Sequence, residues 1–317
     1  MAVVRAVSVL GVLALIAIPA LADHDNGHDG DDHGHGHDRG PRHVTFQLAD
    51  GNRIAGYVYG EPDPHKPLVI MVHGASDTHT VFDFAPGYRS AEELADDGFG
   101  VLTIDRVGYG ASSHPNGDTL SFATHAGYLH EVITDVRHGA LGFHPGDVVT
   151  LGPSVGADVI IVEAGTYHDV DGVAVCFNTN NLQPALFAVD VGAWFAQGDY
   201  FDFGVDFRTS FFYTFPYANQ HIVDLDNATR SLVPRGEINS ALSGQSAPFR
   251  SQIDVPVLLM QGDEDHLFVP EDDSALFTSS PDVTFHLVHH SGHKGFSHPT
   301  SKSEAVHTVR DWLRDEF

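Results

Sequence analysis

From His43 onward apolar and polar residues alternate through HVTFQL, break at Asp50-Gly51 and alternate again through RIAGYVYG. Period-two alternation on both sides of an Asp-Gly turn predicts an antiparallel hairpin. The pattern then changes to short, nearly continuous apolar runs: PLVIMVHG (67–74), FGVLTIDR (99–106), DVVTLGPS (147–154), VAVCFN (173–178), VPVLLMQG (255–262) and VTFHLVHH (283–290). Runs of this length, bounded by turn residues, suit strands buried on both faces of a parallel sheet. Helix-compatible stretches fall near 88–97, 121–139, 155–166 and 302–316. Strand and helix therefore alternate, as in a doubly wound α/β sheet.

The interval 179–252 interrupts this alternation. It holds Phe187, Trp194, Phe195, Tyr200, Phe201, Phe203, Phe207, Phe211, Phe212, Tyr213, Phe215 and Tyr217 within 183–217. The expectation is a cap inserted between two core strands, most of its aromatics forming a small core of their own and a few lining an apolar pocket. Its acids Asp190, Asp199, Asp202 and Asp206 are candidates for an amine-binding subsite.

Two segments precede the body. Residues 1–22 carry one charge at Arg5, an apolar run from Val7 to Ile18, then Pro19 with small residues at Ala20 and Ala22. This reads as a secretory signal peptide cut after Ala22, its run being short of the ~20 residues that span a bilayer. No stable membrane anchor is expected after cleavage, and the destination is the exterior or a bacterial envelope. Residues 23–42 contain no Leu, Ile, Val, Phe, Tyr or Trp, so they cannot offset the entropy of ordering and are expected to form a disordered tail. Their His24, His28, His33, His35 and His37, among six Asp, are competent but weak ligands for Zn, Ni or Cu.

Composition narrows the function. Sixteen Lys and Arg stand against 43 Asp and Glu, a formal charge of −27, which repels nucleic acid and anionic membrane surfaces. The acidity fits a high-salt habitat or GC-rich coding equally well. The single cysteine, Cys176, excludes an intramolecular disulfide and any multi-cysteine metal site.

The chemistry gathers at strand ends. Gly152-Pro153-Ser154-Val155-Gly156 follows the run DVVTL and precedes the helix-like ADVIIVEAG. A GxSxG between strand and helix is a nucleophile elbow, its glycines leaving room for a sharp turn. A serine hydroxyl needs a base, and the base needs an orienting acid. Asp263 and Asp265 follow one later strand run, and His289, His290 and His293 follow another. Ser, Asp and His thus come in a workable chain order, each beyond the carboxyl end of a strand, where open α/β sheets place their sites.

With these residues the region 43–317 resembles the α/β-hydrolase superfamily. The resemblance rests on VHGAS (72–76), DRVGYGAS (105–112), GPSVGAD (152–158), and GDEDHLFVP (262–270) with SGHKGF (291–296). It implies a mostly parallel central sheet flanked by helices, with the inserted aromatic-rich cap at about 179–252. It also implies Ser154 as nucleophile, Asp265 as acid with Asp263 in reserve, and His293 as base. The backbone amides of Ala75 and Val155 would form the oxyanion hole. His73 is expected to tether loops, His289 and His290 to end a strand, and His298 to sit in a solvated loop. Pro153 stands where many family esterases and lipases have a polar residue, so no subfamily follows.

The expected activity is that of a secreted serine hydrolase on a small carboxylic ester with an apolar acyl or aryl group. A peptidase, thioesterase or lactonase using the same triad is the alternative, and a non-catalytic metal-binding exported protein is the remote one. No cofactor or resident metal is called for.

Overall fold

The computed structural model describes residues 40–317 except 61, 62 and 64; the signal-peptide reading, and the tail reading as far as residue 39, lie outside the described residues. The first hairpin forms as its alternation predicts. Strand β1 (Arg42–Gln47) pairs antiparallel with β2 (Arg53–Tyr59), Arg42 opposite Val58 and Gln47 opposite Arg53. The apolar runs become β3 (Leu68–Val72), β4 (Gly100–Asp105), β5 (Val148–Pro153) and β6 (Gly172–Cys176). A two-stranded ribbon of β7 (Tyr200–Phe201) and β8 (Val233–Pro234) follows, then β9 (Val257–Gly262) and β10 (Val283–Val288). The main sheet runs β1-β2-β4-β3-β5-β6-β9-β10. It is parallel from β4 to β10 and antiparallel only through β2.

The continuous apolar runs are explained by two separate cores. Leu68, Ile70 and Val72 of β3 face one, and Val69 and Met71 face the other. Helices α1 (Ser90–Asp96) and α8 (Lys302–Glu316) cover the second face, with Leu94, Val309 and Trp312. Helices α2 (Phe122–Arg137) and α3 (Val155–Tyr167) cover the first. Each fully buried aliphatic side chain there contributes roughly 1.5–3 kcal/mol. Helix α3 is buried without a break from Val155 to Gly165, which accounts for the unusually apolar sequence after the serine. Among the described residues, no helix is long and apolar enough to cross a membrane.

Between β6 and β9, neighbours in the sheet, lie α4 (Val191–Phe195), α5 (Val205–Phe212), α6 (Gln220–Ala228) and α7 (Arg235–Leu242). Their aromatics form one run of ring contacts from Trp194 through Phe203 and Phe207 to Phe212, with one end in the main core. Phe201 is buried in the main core, with Trp194, Phe195, Tyr200 and Phe203 against it. Phe212 and Tyr213 form a cluster with Ala218, Val223 and Leu267. The first group lies down on the main body because the β7–β8 ribbon and α7 pack there. Phe187 joins neither, being 78% exposed.

Candidate active site

Since β3, β5, β9 and β10 run parallel, the segments leaving their carboxyl ends share one edge of the sheet. Ser154 turns there between β5 and α3 with φ 56° and ψ −128°, a left-handed conformation unusual for a residue with a side chain. The flanking glycines are required by contact. A Cβ on Gly152 would lie 2.5 Å from the Gly156 carbonyl carbon, and one on Gly156 would collide with the Val72 carbonyl oxygen. Asn178, just past β6, braces the turn by donating to the Ser154 carbonyl at 3.1 Å and to Asp158 at 3.1 Å.

His293 is buried, and its Nδ1 donates to Asp265 Oδ2 at 2.9 Å. Asp265 also accepts from the amides of Leu267 (2.7 Å) and Phe268 (3.1 Å) and from Gln261 Nε2 (3.0 Å). These bonds fix the carboxylate and leave the far nitrogen of His293 for another partner. Asp263 is elsewhere engaged, accepting from the Ser291 amide at 3.1 Å, with His289 Nδ1 3.4 Å from its other oxygen. Strand β10 stops at Val288, so His289 and His290 occupy the exposed turn beyond it. Ser154 and His293 face one narrow cleft with Gly74, Ala75, Pro153, Val81, Phe82, Phe177, Phe212 and Phe296.

The loop after β3 passes close to the serine. A Cβ on Gly74 would sit 3.1 Å from Ser154 Cβ and 3.6 Å from its Oγ. Among the described residues, no backbone bond outside the helices and strands is donated by the Ala75 amide, which lies on the loop lining the cleft. His73 is wholly buried, with Nδ1 donating to the Gly74 carbonyl (2.8 Å) and Nε2 accepting from the Arg106 amide (3.1 Å). Burial, aided by the Arg106 charge, holds this imidazole down at about 3, so it is neutral and both nitrogens are committed.

Two charged networks around the cleft are absent from the sequence reading. Arg106 donates to the His73 and Gly74 carbonyls at 3.0 and 3.1 Å, and to Glu237 of α7 at 2.6 and 3.2 Å. Tyr109 donates to the same carboxylate at 2.9 Å, and His125 Nε2 lies 3.2 Å from it. Burial alone would raise the Glu237 carboxyl, but Arg106 and His125 outweigh it and hold it at about 2. In the second network, Lys294 Nζ donates to Asp77 (2.6 Å) and Asp226 (2.9 Å). Arg208 donates to Asp226 at 2.5 Å and to the Ser76 carbonyl at 3.3 Å, and lies 3.5 Å from Asp77. Two cations and two carboxylates balance, and Phe212 packs beneath both cations and beside His293. Such pairs join residues far apart in the chain, and no local pattern announces them.

His298 corrects the reading of a solvated loop. It is fully buried, accepting from the Thr214 amide at 3.2 Å and donating to the Lys294 carbonyl at 2.9 Å. Burial lowers it to about 4. None of Asp190, Asp199, Asp202 and Asp206 lines the cleft. Asp190 caps α4, Asp199 accepts from the Gly117 amide and Asp202 pairs with Arg230.

The family model described as the alpha/beta hydrolase family matches residues 69–307. The chain belongs to that family, and hydrolase activity is what the membership supports. None of the curated proteins compared with it matches. Among solved structures it is similar to an aryl esterase described as putative from Burkholderia cenocepacia, at 20% identity and TM-score 0.64 over 87% of this chain and 99% of that one. A monoacylglycerol lipase from Paleococcus ferrophilus aligns at 21% identity and TM-score 0.65, over 83% and 99%. An N-acyl homoserine lactonase complexed with N-hexanoyl homoserine aligns at 16% and 0.63, over 87% and 97%. Likeness at these identities establishes the fold.

Proposed function

We propose that this chain is an exported serine hydrolase that cleaves small carboxylic esters with apolar acyl or aryl groups. The observation that carries the reading is the shared cleft: Ser154, on its left-handed turn, faces the same space as a His293 already bonded to Asp265 at 2.9 Å. Ser154 Oγ adds to the ester carbonyl while the free nitrogen of His293 takes its proton, and Asp265 holds the tautomer and the imidazolium charge. The amides of Ala75 and Val155 receive the oxyanion. Collapse breaks the bond to the alcohol, which leaves with the proton from His293, and water then releases the acid by the same route. The cleft is lined by Val81, Phe82, Phe177, Phe212 and Phe296, with Asp77 and Lys294 paired to each other at its side, and this apolar majority supports apolar groups over sugars. The aryl esterase, lipase and lactonase names of the structural neighbours agree with a small acyl substrate. The leader-like residues 1–22 support export, which a mature protein beginning at Asp23 in the medium or envelope would verify.

The test is turnover of aryl esters of graded acyl length and one aminoacyl arylamide by the full chain and its Ser154→Ala variant. Esters should turn over with a chain-length optimum, and Ser154→Ala should lose at least about a thousandfold in kcat. Full activity in folded Ser154→Ala would refute the assignment of the nucleophile. Cleavage of the arylamide alone would move the reading to a peptidase, which the engaged acids of the inserted segment do not favour.

A further inference from the structure

Helices α2 and α3 meet far from the cleft, and at their contact His130, Glu163 and Asp169 come together. One ligand atom from each, an imidazole nitrogen and two carboxylate oxygens, lies within 4.8 Å of the others. Glu163 is wholly buried, and among the described residues neither of its oxygens has a hydrogen-bond partner. Asp169 Oδ1 is buried without a partner as well. A buried carboxylate left unpaired is strongly unfavourable, so native structures pair such groups, protonate them or place them on a metal. Arg137, the nearby cation, is already engaged, donating to the Asp169 carbonyl at 2.9 Å and to Asp171 at 2.5 Å.

We propose that His130, Glu163 and Asp169 form a binding site for a divalent transition cation, of which Zn2+ is the type. The donor set is one imidazole nitrogen and carboxylate oxygens with no sulfur, which suits borderline divalent ions. His130 is oriented beforehand, its ring stacked on Tyr167 at 4.0 Å and 6°, and its Nδ1 lies 2.6 Å from Asp169 Oδ2. The cation takes the place of the proton between those two atoms, and that proton passes to solvent. Two carboxylates balance the charge of the ion. The His130 and Asp169 side chains are 36% and 21% exposed, which gives the ion an entry path and lets water complete the coordination. Glu163 lies about two and a half helical turns beyond Ser154, so the ion would join α2 to the end of α3 without entering the chemistry at the serine.

Zn2+ added to the full chain should raise Tm by about 5 °C at saturation, because an ion bound only by the folded state stabilises it. Glu163→Gln, which keeps the shape of the side chain, and His130→Ala should each abolish that rise. Ions held by the histidines of residues 23–42 are unaffected by either substitution and so cannot mimic the difference. Crystals soaked in Zn2+ should give an anomalous peak at the zinc edge between the three side chains. A rise as large in either variant as in the wild type overturns the proposal. So does the lack of a rise in the wild type, and a more stable Glu163→Gln would then identify a proton shared by Glu163 and Asp169.

Discussion

Arg106 and His73 hold each other at two points. The Arg106 amide donates to His73 Nε2 at 3.1 Å, and Arg106 Nε donates to the His73 carbonyl at 3.0 Å. The loop leading to Ala75 is thereby fixed to the end of β4, and Glu237 fixes the arginine in turn. A lysine has one point charge where this site uses a planar fork of donors. Arg106→Lys should lower kcat on aryl esters at least about tenfold, with KM changing less, because a loop displaced by even about 1 Å costs catalysis strongly. Steady-state kinetics on the folded variant would check it.

Removing Glu237 leaves Arg106 buried without its counter-charge. Glu237→Ala should lose roughly 3–5 kcal/mol, as broken buried pairs do, visible as a lower urea midpoint with an unchanged slope. A loss under about 1 kcal/mol would mean that water replaces the carboxylate without cost.

The two acids after β9 should separate cleanly. Asp265→Asn removes the charge facing His293 Nδ1 and should cut kcat by about 10³–10⁴. Asp263→Asn touches only the Ser291 amide and His289, so its turnover should stay within a few-fold of wild type. The reverse order would move the acid to Asp263.

Acid should destabilise the fold through two buried histidines. Below pH 6.5 the unfolded chain takes up protons that His298 refuses until about 4 and His73 until about 3. Stability from these groups is therefore fully present above pH 6.5 and falls as pH drops toward those values. For His298 the loss is on the order of 3 kcal/mol. Urea midpoints measured from pH 7 to 4 should fall, and less steeply in His298→Gln.

Gly74→Ala would place a methyl 3.1 Å from Ser154 Cβ and 3.3 Å from the Pro153 carbonyl. The loop must yield, carrying the Ala75 amide with it. Ester turnover should drop by about 10²-fold while the circular dichroism spectrum stays unchanged.

Much of this site is legible in the sequence because its parts are local. The elbow is announced by glycines whose need is steric and immediate, and the proposed acid and base by strands that end three and five residues earlier. Sheet order follows from alternating strands and helices, and the double-faced apolar runs mark strands that feed two cores. What escapes is long-range. Nothing near Arg106 points to Glu237, or near Lys294 to Asp77 and Asp226, because tertiary packing alone brings them together. His298 misleads for the same reason: a histidine before proline reads as loop, yet the chain wraps over it and buries both nitrogens in bonds. The aromatics between β6 and β9 are legible as an apolar cluster, but not that Phe201 at one end of it enters the main core.

The cluster of Arg208, Asp226, Asp77 and Lys294 ties the inserted segment to the loops around the cleft. Arg208 and Asp226 sit on α5 and α6, whereas Ser76, Asp77 and Lys294 belong to the loops on either side of the cleft. Swinging the inserted segment outward would separate these opposite charges, with water then solvating the parted groups. The inserted segment and the two loops that flank the cleft thus share one buried, charge-balanced cluster, which Phe212 covers.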